Sequence, residues 1–410
     1  MTLKSDRIKI AILDHSPDLG GAEVTILTFL KNVDRSRFDV TVLLPSKGAF
    51  SMALEEIGIP TSIIHLPMGL IRLKRGKTLR SFLFLFASLF LLQFFLLSLC
   101  VYLRRNHFQL ILTNTIKAHL YGSVAARLCS IPIVWRFHDI LTPPDFSPLV
   151  IKFIVFFGRV FPKRIFAVSK TTQDNLLKQG VESRKIKVIF NAIDRELFEI
   201  KGYSNVRDEY QVGDGVRLVG CIGRIIPQKG QKVFLLAIPE VLQRYPNTFF
   251  LIIGGHFLKE EAYKEELLGI IKKHGIEKKV RLTGFRKDIG KLIRSLDILV
   301  FPSIAPESFS LTALEAMSLG KPVIASDVGG ISEIIEDGAN GILIEPNRPE
   351  QITEKIIYLF KHPEICDKIG EKAKEVVGQR FPLNKYVKAM ENACWENALK
   401  EAKVESRSRS

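Results

Sequence analysis

The sequence predicts an α/β protein of two doubly wound parallel domains. Its 410 residues exceed one ordinary domain and suit two. Short apolar runs alternate with helical periods along both halves, the rhythm of strand–helix–strand units. A polar segment, Phe198–Gly213, separates the halves.

In the first half, strands are expected at Ile8–Leu13, Asp39–Leu44, Leu110–Thr113, Ile133–Phe137, Arg164–Val168 and Lys187–Phe190. Helices start near Ala22, Ala118 and Lys170. The second half repeats the pattern, with strands at Val216–Ile222, Thr248–Gly254, Val280–Thr283, Ile298–Phe301 and Pro322–Ala325. Helices Val233–Arg244, Tyr263–His274, Asp288–Ser295, Leu311–Leu319 and Pro349–Phe360 cover them. The expected domains are residues 1–198 and 199–380, followed by a C-terminal helix and tail over 381–410. Two such domains imply a cleft, and ligands of open parallel sheets bind outside the strand C-termini.

The net charge of +16 is uneven: residues 1–200 carry +12 of it. A basic surface suits nucleic acid or an anionic membrane. No interleaving of aromatic and basic residues supports nucleic acid, so no nucleic-acid partner is expected. The five cysteines are scattered, with no CxxC pair, which points to neither a disulfide framework nor a zinc site. The N-terminal residues do not read as a signal peptide, and a cytoplasmic protein is expected.

Phe82–Leu103 departs from the soluble pattern. Only Ser88, Gln93 and Ser98 interrupt it, and they fall on different sides of a helix. Such a helix is either buried in the domain or in lipid, and its length suffices to cross a bilayer core. Basic residues bracket it: Arg72, Lys74, Arg75, Lys77 and Arg80 before, Arg104 and Arg105 after. The next apolar stretch, Ile151–Phe161, is too short for a return crossing and carries two charges. A single crossing would separate Gly20 and Gly21 from His138, so monotopic embedding at the cytosolic face is expected.

The segment Ala305–Gly330 carries the sharpest chemical signal. Glu307 precedes a helix and Glu315 lies within it, seven residues intervening. A helix N-terminus favours a phosphate, and the two acids suit sugar hydroxyls. A nucleotide sugar is anionic at one end and hydroxyl-rich at the other. Glu315 lies among Leu311, Ala313, Leu314, Ala316 and Met317, where a carboxylate needs a partner such as a ribose diol. Gly223-Arg224 and Lys229-Gly230 follow the first strand of the second half, two cations placed to neutralise a diphosphate. No DxD motif ends a strand, so charge stabilisation without a metal is expected. Gly20-Gly21-Ala22-Glu23 opens a helix after the first strand, where small residues admit a ligand to backbone amides; an ordinary strand–helix turn reads the same way. His138-Asp139 ends a strand, and its imidazole suits proton handling or hydrogen bonding, although a lone histidine also serves as structure. Asn191 and Asp194 read as a turn before the linker.

Together these residues resemble the family-4 retaining glycosyltransferases. The elements run in order as Gly20–Glu23, Phe137–Asp139, Ala167–Lys170, Asn191–Asp194, Gly223–Gly230, Ile252–Gly255, Leu282–Phe285, Pro306–Gly330 and Asn340–Pro346. The resemblance implies the GT-B architecture of two Rossmann-like domains, a nucleotide-sugar donor bound by the second and a glycan or lipid-linked acceptor bound by the first, in glycan or polysaccharide assembly. It implies that Arg224, Lys229 and Gly21 meet the donor diphosphate, that Glu307 lies near the transferred sugar and Glu315 on the ribose, that the amides of Phe309, Ser310 and Leu311 contact sugar and phosphate, and that His138 lies near sugar and acceptor. It implies same-face attack with no metal and no cofactor, the leaving phosphate taking the acceptor's proton. Ser308 and Ser310 stand where the family commonly has glycine, as does Ala192. An epimerase or phosphorylase of the same architecture, or a non-catalytic membrane-bound nucleotide-sugar-binding protein, are the alternatives; the phosphorylase lacks a cofactor lysine pocket.

Overall fold

The structure is a computed structural model that describes residues 7–66, 79–143, 145–194, 206–213, 215–255 and 260–408, with side chains described outside 79–90 and 399–408. The chain divides into two compact units. Unit 1 comprises Met1–Phe190 and Asn384–Ser410, and unit 2 comprises Asn191–Leu383.

Unit 1 is built on strands β1 (Ile8–Leu13), β2 (Phe38–Leu44), β3 (Thr61–Ile63), β4 (Leu110–Thr113), β5 (Ile133–Phe137), β6 (Arg164–Ala167) and β7 (Ile186–Val188). Its helices are α1 (Gly21–Asn32), α2 (Ala49–Glu56), α3 (Leu79–Arg105), α4 (Ile116–Cys129), α5 (Pro148–Val160) and α6 (Lys170–Lys178). The strands form one sheet in the order β3-β2-β1-β4-β5-β6-β7, and every pair is parallel. The central strands are buried on both faces, which is why β1 (IKIAIL) reads as an almost continuous apolar run. Each crossover carries a helix, and the order reverses direction between β1 and β4.

Unit 2 repeats this plan. It comprises α7 (Val206–Glu209), β8 (Arg217–Ile222), α8 (Gln231–Arg244), β9 (Thr248–Ile253), α9 (Glu261–Lys273), β10 (Val280–Gly284), α10 (Ile289–Ser295), β11 (Ile298–Phe301), α11 (Leu311–Ser318), β12 (Val323–Ser326), β13 (Ile342–Ile344), α12 (Pro349–Lys361) and α13 (Pro363–Arg380). The sheet order is β10-β9-β8-β11-β12-β13, again parallel. Its reversal lies between β8 and β11.

Helix α14 (Leu383–Ser408) packs within unit 1. The Tyr386 hydroxyl donates to the Thr25 carbonyl at 2.9 Å. The Trp395 ring meets Phe38 edge-on at 6.2 Å, with the Arg37 guanidinium 4.6 Å above the Trp395 ring. Buried Arg136 lies 5.7 Å from the Tyr386 ring and donates to the Ile189 carbonyl at 2.7 Å.

Helix α3 is not apolar in a single environment over the part whose side chains are described. Phe95, Leu99, Cys100 and Leu103 enter the unit 1 core beside Trp135 and Ile154, while Leu91, Leu97 and Val101 are exposed. The first part of the predicted apolar segment, residues 82–90, and the basic cluster at 72–77 lie outside the described side chains. Among the described residues, no helix is long and apolar enough to cross a membrane. The stretch Ile151–Phe161 is part of α5 with its C-cap residue Phe161, and α5 covers the same sheet face as α3 and α4.

Candidate functional site

Both units gather their polar side chains where the strand order reverses. There adjacent connections leave on opposite faces and open space at the strand C-termini.

In unit 2 the two strand ends are β8 and β11. Beyond β8 the backbone turns at Gly223 and donates from its amide to the Ile253 carbonyl at 3.0 Å. A 3-10 turn, Pro227–Lys229, follows. Gly230 then takes the left-handed conformation at φ 69°, and a Cβ there would lie 1.8 Å from the Pro302 carbonyl oxygen. Only glycine fits, because the loop after β8 lies against the loop after β11. The Ile304 amide completes that contact by donating to the Gln228 carbonyl at 2.9 Å.

This clamp brings Lys229 onto Glu307. The Lys229 ammonium donates to both carboxylate oxygens, at 2.7 and 2.9 Å, and the Ser303 hydroxyl donates to Oε1 at 2.7 Å. Lys229 is 25% exposed and Glu307 15%, so water screens the pair only partly. The ammonium also lies 5.2 Å from the Phe301 ring centroid. Glu307 is fixed through its backbone: it bridges Gly329, and its carbonyl accepts from the Gly330 amide at 2.6 Å. A Cβ on Gly329 would lie 2.2 Å from that carbonyl oxygen, which explains glycine at φ 63°. Arg224 is more open, 51% exposed, with Nε 3.9 Å from Glu260.

Helix α11 begins on the same loop. Ser310 is its N-cap, and its hydroxyl oxygen accepts from the Ala313 amide at 3.2 Å. The serine that stands where the family commonly has glycine thus caps the helix, with its side chain buried. The Leu314 amide donates to the Ser310 carbonyl. The amides of Leu311 and Thr312 have no partner among the described residues, and the helix dipole makes them positive. Phe309 is buried with its ring edge-on to Phe381 at 5.7 Å. Glu315 lies one turn below Leu311 on the same helix face. It is half-buried, and its carboxylate makes no hydrogen bond or ion pair among the described residues. Burial alone pushes its carboxyl up to about 7.

In unit 1 the strand ends are β1 and β4. Their register pairs Leu13 with Thr113, so Asp14 and Asn114 emerge side by side. Asp14 is fully buried and accepts from the Asn114 amide at 2.9 Å, the Thr115 hydroxyl at 3.2 Å and the Ser16 amide at 3.0 Å. Burial pushes its carboxyl up, and these hydrogen bonds oppose that. The Asn114 side-chain nitrogen also donates to the Ala22 carbonyl at 3.1 Å. Its oxygen is therefore left to accept, and it lies 2.9 Å from His138 Nε2. That contact places the imidazole proton on Nε2. Burial, with Arg136 and His119 adding, holds the ring well below its ordinary value, hence neutral. Nδ1 then presents a lone pair.

Gly21 is the first residue of α1 and is exposed. The amides of Gly21 and Ala22 have no partner among the described residues, while Glu23 reaches back to accept from the Gly20 amide at 2.9 Å. Burial, with Asp14 adding, pushes Glu23 up to about 7. Asn191 and Asp194 are buried.

The structure brings Lys229, Glu307 and the α11 N-terminus to one loop cluster, and His138 to the strand-end group of Gly21. Sequence reasoning passed over Asp14, Asn114, Thr115 and Ser303. Each follows a strand of the reversal pair, so polar residues directly after apolar strands were the available signal.

The sequence matches two family models. Residues 19–197 match the model described as Glycosyltransferase Family 4, and residues 204–376 the one described as Glycosyl transferases group 1. The chain belongs to the family-4 glycosyltransferases. Among relatives of this family, it is 30% identical to an uncharacterized glycosyltransferase, MJ1607, of Methanocaldococcus jannaschii, over 58% of each chain. The chain thus spans little more than half the length of that relative, and 57% of a second one, MJ1178 of the same organism. It is 24% identical to the UDP-Gal:alpha-D-GlcNAc-diphosphoundecaprenol alpha-1,3-galactosyltransferase of Escherichia coli, over 83% of this chain and 85% of that one. Among solved structures, Alr3699/HepE of Anabaena in complex with UDP-glucose superposes with a TM-score of 0.82 at 28% identity, covering 95% of this chain and all of that one. The family-4 fold here is GT-B, with two Rossmann-like parallel sheets of seven and six strands.

Proposed function

We propose that this family-4 protein is a metal-independent retaining glycosyltransferase, working without a cofactor. It moves a sugar from a nucleotide donor to a lipid-linked glycan held at the cytosolic face of a membrane. The observation that carries the reading is the Lys229–Glu307 pair at 2.7 Å on the unit 2 strand reversal, next to the open amides of α11. The UDP-glucose complex of the Anabaena protein and the diphosphoundecaprenol acceptor of the Escherichia coli enzyme support donor and acceptor class.

The chemistry follows from the residues. Lys229 and Arg224 attract the donor diphosphate as a point charge and a planar fork. The amides of Leu311 and Thr312, with the α11 dipole, add donors that need no reorganisation. The diphosphate competes with Glu307 for Lys229 and frees the carboxylate to accept from sugar hydroxyls. Glu315 accepts from the ribose diol, ionising as it gains donors. His138 Nδ1 accepts from a hydroxyl of sugar or acceptor. The bond from the anomeric carbon to the leaving phosphate breaks, the bond to the acceptor oxygen forms on the same face, and the phosphate takes the acceptor's proton.

The test is product formation from UDP-glucose and other nucleotide sugars with a lipid diphosphate-linked acceptor, in the presence of a chelator. The anomeric configuration is read by NMR. A product with the donor's configuration, undiminished by chelation, is expected. An inverted anomer, loss of activity on chelation, or epimerised donor without transfer overturns the corresponding part of the reading.

A further inference from the structure

Helices α3, α4 and α5 lie side by side on one face of the unit 1 sheet, and residues of all three share one core with β5. Their outward faces are strongly apolar. Sixteen large hydrophobic residues are exposed among the described side chains, and ten of them lie on these three helices. Scattered exposed hydrophobics are normal, but a contiguous patch marks an interaction site.

Helix α5 shows the organisation best. Leu149, Phe153, Phe156 and Val160 are all more than half exposed. At ~100° per residue they fall within about 60° of one another around the helix. Ile151, Ile154 and Val155 occupy the opposite, buried side, and Phe157 is buried on one flank. The Phe153 and Phe156 rings rest on Phe157, at 4.7 and 6.1 Å, and point outward from it. Exposed Lys152 and Arg159 both lie on one flank of the stripe. Leu128 extends the patch across α4, and its carbonyl accepts from the Arg104 guanidinium of α3. Leu97 and Val101 continue it on α3.

The charge on this layer has one sign. No aspartate or glutamate occurs anywhere in α3, α4 or α5. The adjacent acid, Asp145, precedes α5 in the loop. Exposed Arg104, Arg105, Arg127, Lys152 and Arg159 stand around the apolar stripe. Long basic side chains keep their heads in water while their stems lie along apolar surface. An apolar strip with a basic margin and no acid is the pattern of a helix lying in the plane of an anionic membrane surface.

We propose that the outward face of α3, α4 and α5 is a bilayer-docking surface for anionic lipid, with Phe153 and Phe156 of α5 as its inserted anchors. The inference extends the membrane reading from one apolar segment to a folded surface, and it requires no crossing helix. It assigns the α5 stripe, which the sequence offers only as a failed span.

Full-length protein is tested by vesicle flotation with phosphatidylcholine alone and with added phosphatidylglycerol. Wild type is expected to float with the anionic vesicles and to be released by salt. Phe153→Ser with Phe156→Ser should weaken vesicle binding by at least about tenfold. Lys152→Glu with Arg159→Glu should abolish the preference for phosphatidylglycerol. Tryptophan fluorescence of each variant verifies an intact unit 1, which holds α5 and both tryptophans, and UDP-glucose binding read by thermal shift keeps this test apart from the transferase reading. Unchanged flotation of the Phe153→Ser, Phe156→Ser variant overturns the α5 proposal while leaving the apolar segment as an anchor. Absence of flotation by wild type overturns both. A wild-type dimer that dissociates in the same variant, seen by light scattering without vesicles, makes the surface a contact between copies and overturns the lipid assignment.

Discussion

Replacing Glu315 by glutamine isolates the cost of holding a carboxyl without a partner. Burial displaces its pKa from an ordinary 4.5 to about 7. At ~1.4 kcal/mol per pH unit this corresponds to about 3 kcal/mol, and partial exposure reduces it to about 1–3 kcal/mol. The sign follows from the raised folded value. Below about pH 4.5 the group is protonated folded and unfolded, and it costs nothing. As pH rises from about 4.5 toward about 7, only the unfolded chain ionises freely and stability is lost; above about 7 both states ionise and the cost levels off by about pH 8. Glutamine has no such dependence. Urea unfolding at about pH 4.5 and about pH 8.5, followed by circular dichroism, measures the difference. Both tryptophans, Trp135 and Trp395, belong to unit 1, so tryptophan fluorescence separates that transition from the unit 2 transition of interest. The Glu315→Gln variant should match wild type at the lower pH and exceed it by about 1–3 kcal/mol at the higher. The same variant should bind UDP-glucose about tenfold or more weakly, because a hydrogen bond to a charged acceptor is lost. Equal stability at both pH values, or a variant weaker at high pH, refutes the reasoning.

Lys229→Ala should reduce turnover by about 100-fold or more while the circular dichroism spectrum stays unchanged. Glu307→Ala should do the same, and near-normal transfer by either contradicts the assignment. Asn114→Leu removes the acceptor that fixes the His138 proton on Nε2. Turnover should fall at least about tenfold with unchanged donor affinity, and a histidine nitrogen spectrum should show mixed tautomers. Gly230→Ala forces a Cβ to 1.8 Å from the Pro302 oxygen at a left-handed φ. Its unit 2 transition should drop by about 2 kcal/mol or more, read by urea midpoint.

The parallel strands of both units were legible because each is an apolar run too short for a helix. The missed strands, β3 (TSI) and β13 (ILI), are three residues long and lie at sheet edges. At that length no period distinguishes strand from loop. Helix α5 was read only as a failed membrane span, because its apolar residues serve two faces and leave little polar contrast along the chain. The Lys229 and Glu307 motifs were visible as types and spacing, yet their pairing was not, because it depends on the Gly230–Pro302 contact between two strand ends. Asp14 and Asn114 lie a hundred residues apart. Only the β1–β4 register joins them, and a single sequence does not display register.

The charge arrangement of unit 2 fits the proposed anion site. Lys229 is paired with Glu307, whose carboxylate also accepts from the Ser303 hydroxyl, so the cation is not left bare. Arg224 remains half exposed near Glu260, where water screens it. Glu315, with no partner, lowers its own charge by taking up a proton near neutrality. In the proposed reading a diphosphate ester reverses each arrangement: it offers Lys229 a stronger partner, releases Glu307 toward hydroxyls, and brings Glu315 the donors that favour its ionised form. Donor binding should therefore release about half a proton at about pH 7 and close to one near about pH 6, which calorimetry in buffers of different ionisation enthalpy measures directly. Glu315→Gln should abolish that release while Lys229→Ala leaves its sign unchanged. Proton uptake on binding by wild type would mean that the carboxyl meets the phosphate rather than the ribose.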